Sequence, residues 1–522
     1  VNRIGFVRAS RGTSEAGGRR SPARRWFSEM KSRAVVWLAL VVTLFPLPHF
    51  SAQAQVRPVL VHYMPWYVAR PFSTFWGWHW TMNHYNPDLF YPSGQRQVAS
   101  HYYPLIGPYD SLDPVVLEYH VLLMKLAGID GVIVDWYGPD NYYDYGDNNT
   151  RTLAMFNYAR KAGLNFSLCY EDATITAEIN GGPMNGVNVT AGTAVAHAQQ
   201  TMLYAQTNYF TAGYLRWNGQ PVFLNFGPQY FTLNSQWVSI FSVLNPTNQP
   251  AFFTENDRLA AGAGAFDWPP MSLSEPVGGS NVLSAAVLQN YLSSFEQKAT
   301  AWPAFVSSAF PRFHDIYSQA GVGPSYGYLA DNSGDTLRQT LQRSMTNSSA
   351  VVQIVTWNDY GEGTVVEPTV EYGYRDLGII QDYRRQFLDA NFPYHTNDLT
   401  LALRLYNLRR QYVANSIVSA ELNRAFSNIV SGNLTLANQQ LMGVESTRPV
   451  IYNLSSAGGQ LQFLVGGYIS TSGIHVEMSS DLASPAWLTV STFPASTNPP
   501  AFSTPIVPQS TSTFFRVHST GP

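Results

Sequence analysis

The chain has 522 residues, of which 45% are hydrophobic and 14% aromatic, while Asp, Glu, Lys and Arg together supply only 12%, about half the usual ~25%. That profile excludes a disordered chain, which is poor in aromatics and rich in charge. The near balance of 31 basic and 34 acidic residues argues against a nucleic-acid binder. A single cysteine, Cys169, excludes an internal disulfide framework and any multi-cysteine zinc or iron–sulfur site.

Residues 1–33 carry nine Lys/Arg and two Glu with no hydrophobic period. From Met30, a candidate start, the pattern becomes Lys31 and Arg33, an apolar run over 34–47, then Ala52-Gln53-Ala54. This order predicts a signal peptide over 30–54 and an exported protein: periplasmic, extracellular or at the cell surface. The apolar run of 14 residues is short of the ~20 that a spanning helix needs, so stable membrane insertion is not expected; an uncleaved anchor is the alternative. No cysteine follows the cleavage site for lipid attachment. Without the leader, 22 basic residues face 32 acidic ones, and the remaining chain is acidic.

Strand-like apolar runs then alternate with amphipathic stretches. Strands are predicted at 59–63, 131–136, 165–170, 222–226, 251–254, 304–308 and 351–357. A helix opens at Asp113-Pro114, an N-cap followed by a first-turn proline, and stops at Gly128. Further helices are expected near 152–161, 192–207, 231–243, 283–298 and 335–346. Such alternation over ~330 residues predicts an α/β fold, a (β/α)₈ TIM barrel, over 55–390. No glycine-rich dinucleotide or phosphate loop follows any strand, which weakens a nucleotide-binding alternative. Two helices with 4-3-4 spacing (Leu401, Leu405, Leu408, Tyr412; Val418, Leu422, Ala425, Ile429) are expected to form a helical bridge, or a cap on the barrel, over 391–446. The Ser/Thr/Gly/Pro-rich remainder, 447–522, reads as a small all-β, sandwich-like domain. It either binds carbohydrate, on the thin support of lone Trp487, or serves a structural or sorting role.

In a barrel of this kind the active site lies at the C-terminal strand ends. The first strand ends His62-Tyr63-Met64-Pro65-Trp66-Tyr67, and the loop behind it holds Trp76, Trp78, His79 and Trp80. Indole faces suit the C–H faces of sugars, with a polar handle for hydroxyls; the bland alternative is a loop packed by its own aromatics. The second strand ends Asp135-Trp136-Tyr137, where Asp135 either holds a substrate hydroxyl or caps the turn. The third ends Tyr170-Glu171-Asp172, and a later one Glu255-Asn256-Asp257. The last ends Trp357-Asn358-Asp359-Tyr360-Gly361-Glu362-Gly363, with two acids three residues apart. Glycoside hydrolysis needs two carboxyl groups, one protonated and one ionised. His62, His79, His84, His101 and His120 crowd the first quarter without metal-ligand spacing, so no metal site is expected; His62 and His79 suit sugar hydroxyls. Cys169 reads as a small core residue.

The string 354–363, Ile-Val-Thr-Trp-Asn-Asp-Tyr-Gly-Glu-Gly, resembles the active-site signature of glycoside hydrolase family 71, the α-1,3-glucanases. It is also similar to the Asn-Glu-x-x-Glu signature of family 99, the endo-α-mannosidases. The front half, with HYMPWY at 62–67, GWHW at 77–80, the segment 109–114 and AGIDGVIVDWYG at 127–138, looks more like family 99. The resemblance covers roughly residues 57–375. It implies a (β/α)₈ barrel that cuts an α-linked polysaccharide or glycan, an α-glucan or α-mannoside, without a cofactor. It implies Glu362 as general acid and Asp359 as its partner. In family 71 that partner activates water, with inversion. In family 99 a Glu deprotonates the sugar's own 2-hydroxyl, with retention. Asp359, and Gly361 where family 99 has a His, favour the family 71 mechanism. Expected substrate contacts are Tyr63, Trp66, Tyr67, Trp78, His79, Trp80, Asp135, Trp136, Tyr170, Glu171, Trp357 and Asn358. The rival reading is a non-catalytic glycan-binding protein on a retained barrel.

Overall fold

The computed structural model describes residues 57–446 and the later segments 450–457, 460–466, 473–480, 486–494, 501–505 and 513–519. The expected leader at 30–54 lies outside the described residues. Among the described residues no helix is long and apolar enough to cross a membrane.

Eight parallel strands close into a ring: β1 (Val59–Tyr63), β2 (Gly131–Trp136), β3 (Asn165–Tyr170), β4 (Gln220–Asn225), β5 (Ala251–Glu255), β6 (Gly264–Phe266), β7 (Val306–Ala309) and β8 (Val351–Ile354). Each pairs with the next, and β8 returns to β1 through Val59 opposite Val352. This is the expected (β/α)₈ barrel, with one strand that the sequence pattern did not reveal. Strand β6 has only three residues, and residues 256–263 join it to β5 without a helix. Its Gly264 is required by close approach, because a Cβ there would collide with the Ala304 carbonyl oxygen.

Helix α1 (Pro114–Ala127) forms for the reasons its sequence suggests. The Asp113 carboxylate accepts the Val115 N–H at 2.9 Å, Pro114 opens the first turn, and Gly128 closes the helix in the left-handed region at φ 81°. Helices α2 (Tyr145–Ala162), α3 (Ala173–Gly181), α4 (Ala194–Asn208), α5 (Asn234–Phe241), α6 (Ala285–Ala299), α7 (Asp335–Thr346) and α8 (Arg375–Phe387) follow in turn.

The strand alternation builds two apolar cores. Leu60, Ile133, Cys169, Leu224, Phe253 and Val355 share one cluster, facing into the ring. Val61, Val134, Leu168, Phe223, Phe252 and Ile354 share the other with α1, α2 and α4. Neighbouring residues point to opposite faces, so this parity also decides which strand-end side chains reach the barrel mouth.

Three helices follow, α9 (Thr400–Gln411), α10 (Ser416–Val430) and α11 (Leu434–Ser446), the last unexpected from the sequence. They are tied to α1 by Arg409, which donates to both Glu118 oxygens at 2.9 and 3.1 Å, and by Arg410, which donates to Asp113 at 2.5 Å. Beyond them stand two three-stranded antiparallel sheets. One joins β9 (Val450–Ala457), β10 (Gln460–Gly466) and β13 (Ala501–Pro505); the other joins β12 (Leu488–Phe493), β11 (Ile474–Ser479) and β14 (Phe514–Ser519). Phe463 and Phe502 of the first sheet pack against Phe515 of the second. Trp487 lies under the Arg516 guanidinium, 4.3 Å from its ring centre.

Candidate active site

The turn that leaves β8 carries both acids. Asp359 donates its backbone N–H to Thr356 Oγ1 at 2.8 Å, and its Oδ1 accepts the Glu362 N–H at 2.9 Å. Gly363 sits at φ 70°, and a Cβ there would meet the His314 carbonyl oxygen, so only glycine closes this turn. The turn hangs on a buried polar network. Asn358 binds Met64 twice, accepting its N–H at 2.8 Å and donating to its carbonyl at 2.9 Å, and also donates to the Tyr109 hydroxyl. The Tyr67 hydroxyl donates to the Asn358 carbonyl and accepts the Tyr360 N–H. Beneath it Glu367 accepts from the Tyr109 and Tyr360 hydroxyls and pairs with His120 at 3.0 Å. A fully satisfied buried network of this kind rigidifies what it holds.

A cavity of about 260 Å³ opens at the C-terminal end of the strands. Asp359, Glu362, Asp135, Glu171, His62, Trp66, Trp78 and His79 line it. A second hollow of about 650 Å³ shares Glu362, Phe226, Trp268 and Tyr317 with it and extends past Glu255 and Tyr291. The two form one groove with Glu362 at their junction. On one wall Trp66 stacks on His79, with ring centres 4.2 Å apart and planes 9° apart, and Trp78 meets His79 edge-on. Burial pushes His79 and His62 down to about 3, with Arg151 adding to the effect on His79, so both rings are neutral.

The carboxyl groups differ in the way acid–base work requires. Burial raises Asp359 to about 6, opposed by backbone N–H groups of Glu362 and Gly361 that favour its ionised form. Glu362 is pushed well above the ordinary carboxylate range by burial, then by the charge of Asp359 and, further off, Asp315, Glu171 and Glu255. Glu362 therefore holds its proton more strongly than Asp359. Glu171 rises to about 8, from burial and then Asp172, Glu255 and Asp359. Asp135 also rises strongly, by burial and then Glu171, Asp359 and Glu362, and neither of its oxygens has a well-aligned hydrogen-bond partner in the protein.

Seven expected contacts are placed elsewhere. Tyr63, Trp136 and Tyr170 lie in the core between barrel and helices, because His62, Asp135 and Glu171 hold the inward parity and these neighbours point outward; Trp357, past the end of β8, joins the same core. Trp136 donates to Asn149 at 3.0 Å, and Tyr63 contacts His120. Tyr67 and Asn358 are consumed in the network above, and buried Trp80 donates to the Tyr109 carbonyl at 2.8 Å. The aromatic density of the 57–110 region is thus mostly packing and surface; only Trp66 and Trp78 of its Phe, Tyr and Trp residues line the cavity. Met64, Met82, Tyr137, Phe226, Trp268 and Tyr317 line it without having been expected. Tyr137 and Phe226 follow strand ends and were findable; Trp268 follows the strand that was missed. His62, Asp135 and Cys169 offer ligand atoms within 4.8 Å of one another, but burial and the nearby carboxylates keep the Cys169 thiol protonated, which makes it a poor metal ligand.

Two tryptophans separate packing from the groove. Trp136→Ala is expected to lower unfolding stability by about 3–5 kcal/mol. Trp78→Ala, at a 42% exposed position, should change it by less than about 0.5 kcal/mol. Denaturant unfolding of both variants checks this.

No family model matches the chain. Over 78 residues it is 36% identical to the glycoprotein endo-α-1,2-mannosidase of Mus musculus, a match covering 13% of this chain and 17% of that protein. Over 94 residues it is 32% identical to the glycoprotein endo-α-1,2-mannosidase-like protein of Danio rerio, covering 16% and 21%. The chain is similar to the endo-α-1,2-mannosidases. The matched stretch spans about a fifth of the length of these relatives. Among solved structures, the family 99 endo-α-mannosidase of Bacteroides thetaiotaomicron aligns with a TM-score of 0.46 at 17% identity, covering 66% of this chain and 98% of that one.

Proposed function

We propose that the chain is an exported glycoside hydrolase that cleaves α-linked glycans by paired-carboxylate catalysis. Glu362 protonates the leaving glycosidic oxygen. Asp359 removes a proton, either from an attacking water or from the 2-hydroxyl of the sugar. The observation that carries this reading is the pair itself: two carboxyl groups on one rigid turn, in one groove, with Glu362 pushed up by the charge of Asp359. Asp135 and Glu171 suit hydroxyls of the sugar beside the pair, and Trp66 and Trp78 suit its C–H faces. The partial likeness to endo-α-1,2-mannosidases makes α-mannosides the first substrates to try, ahead of α-1,3-glucans. Export rests on the 30–54 pattern alone.

The test is release of new reducing ends from a panel of α-mannans and α-glucans by the full chain. Release from at least one α-linked polymer is expected. Binding without release across the panel would leave a glycan-binding protein instead.

A further inference from the structure

We propose that Asp140, Glu178 and His197 bind one divalent first-row cation, of the Zn²⁺ or Mn²⁺ type, at a site separate from the carboxylate groove. The three residues come from three segments: Asp140 from the loop after β2, Glu178 from α3, and His197 from the first turn of α4. None of them lines the groove. His197 Nε2 lies 3.1 Å from Asp140 Oδ2 and 3.3 Å from Glu178 Oε2, and one ligand atom of each residue lies within 4.8 Å of the other two. Two ligands each about 2.1 Å from a tetrahedral zinc stand about 3.4 Å apart, so little movement is needed to seat the ion.

The second observation is Glu178 itself. Its side chain is only 2% exposed, and Oε2 makes no hydrogen bond, its nearest partner being His197 Nε2 at 3.3 Å in an ion pair. A buried carboxylate oxygen left in that state is costly, and a cation between the three groups satisfies it. Asp140 and His197 side chains are 25% and 20% exposed, which leaves an open side for water ligands and for the ion to arrive. One imidazole and two carboxylates suit zinc or manganese; calcium demands six to eight oxygens. The Tyr142 hydroxyl already ties the same segments together by donating to the Gly182 carbonyl at 3.2 Å. The ion would pin the loops that begin at Tyr137 and Glu171, both in the groove wall. The competing occupant of the space is a proton on His197, which Asp140 and Glu178 hold up to about 9.

Titration of Zn²⁺ into the EDTA-stripped full chain by calorimetry decides between the two. One ion per chain is expected, with a rise in melting temperature. Glu178→Gln and His197→Ala should each weaken Zn²⁺ binding at least tenfold. Asp140→Asn, at the most exposed of the three positions, provides a variant that tests the site with little risk to folding. Absence of saturable binding, or binding unchanged in all three variants, would overturn the proposal and leave a proton-bridged triad.

Discussion

Glu362→Gln is expected to lower turnover of an α-linked oligosaccharide by about 10²–10⁴-fold, with binding of the sugar retained. The amide keeps the size and most of the polarity of the acid but cannot deliver a proton to the leaving oxygen. The distinguishing arm is a substrate whose leaving group needs no proton, such as a glycosyl fluoride. On it the variant should lose far less rate than on the oligosaccharide. The side chain sits at the junction of the two hollows, so the substitution perturbs neither core, and its melting temperature should match the parent. Equal losses on both substrates would remove Glu362 from the acid role.

Asp359→Asn is expected to lower rate by a similar factor, about 10²–10⁴, but here the fluoride should bring no relief. A base is needed whether it acts on water or on the 2-hydroxyl, and the leaving group does not change that need. The substituted amide oxygen still accepts the Glu362 N–H, and the backbone bond to Thr356 Oγ1 is untouched, so the turn holds its shape. Stability should change little, because Asp359 has no ion-pair partner among the described residues. Recovery on the fluoride would make Asp359 the acid and remove it from the base role. Steady-state kinetics on the two substrates, with calorimetric binding as control, checks both variants.

The barrel and its acid-bearing last turn were legible in the sequence because periodicity and glycine punctuation speak directly there. Asp113-Pro114 and Gly128 bracket α1 as written, and Val351 to Gly363 runs from buried strand into an acid-bearing turn. Strand β6 was hidden because three residues carry no period and no helix precedes them; Trp268 went with it. The aromatic contacts were misplaced for a different reason. Trp136 and Tyr170 stand beside the groove residues Asp135 and Glu171 in sequence, yet adjacency on a strand means opposite faces. Counting by twos from Ile133 and Cys169 selects Asp135 and Glu171 and rejects their neighbours. The network around Glu367 was invisible because it joins Tyr109, His120 and Tyr360 across more than 200 residues, which no local spacing records.

The pH dependence of kcat/KM, measured for the parent and both variants, tests the central claim most directly. The proposed mechanism requires Asp359 ionised and Glu362 protonated, so the parent rate should rise with pH through about 6, hold, and fall on the alkaline side as Glu362 loses its proton. In the residual activity on the oligosaccharide, Glu362→Gln should lose the alkaline limb and keep the acid one, while Asp359→Asn should lose the acid limb. An alkaline limb that persists in Glu362→Gln, or an acid limb that persists in Asp359→Asn, would contradict the assignment of the pair.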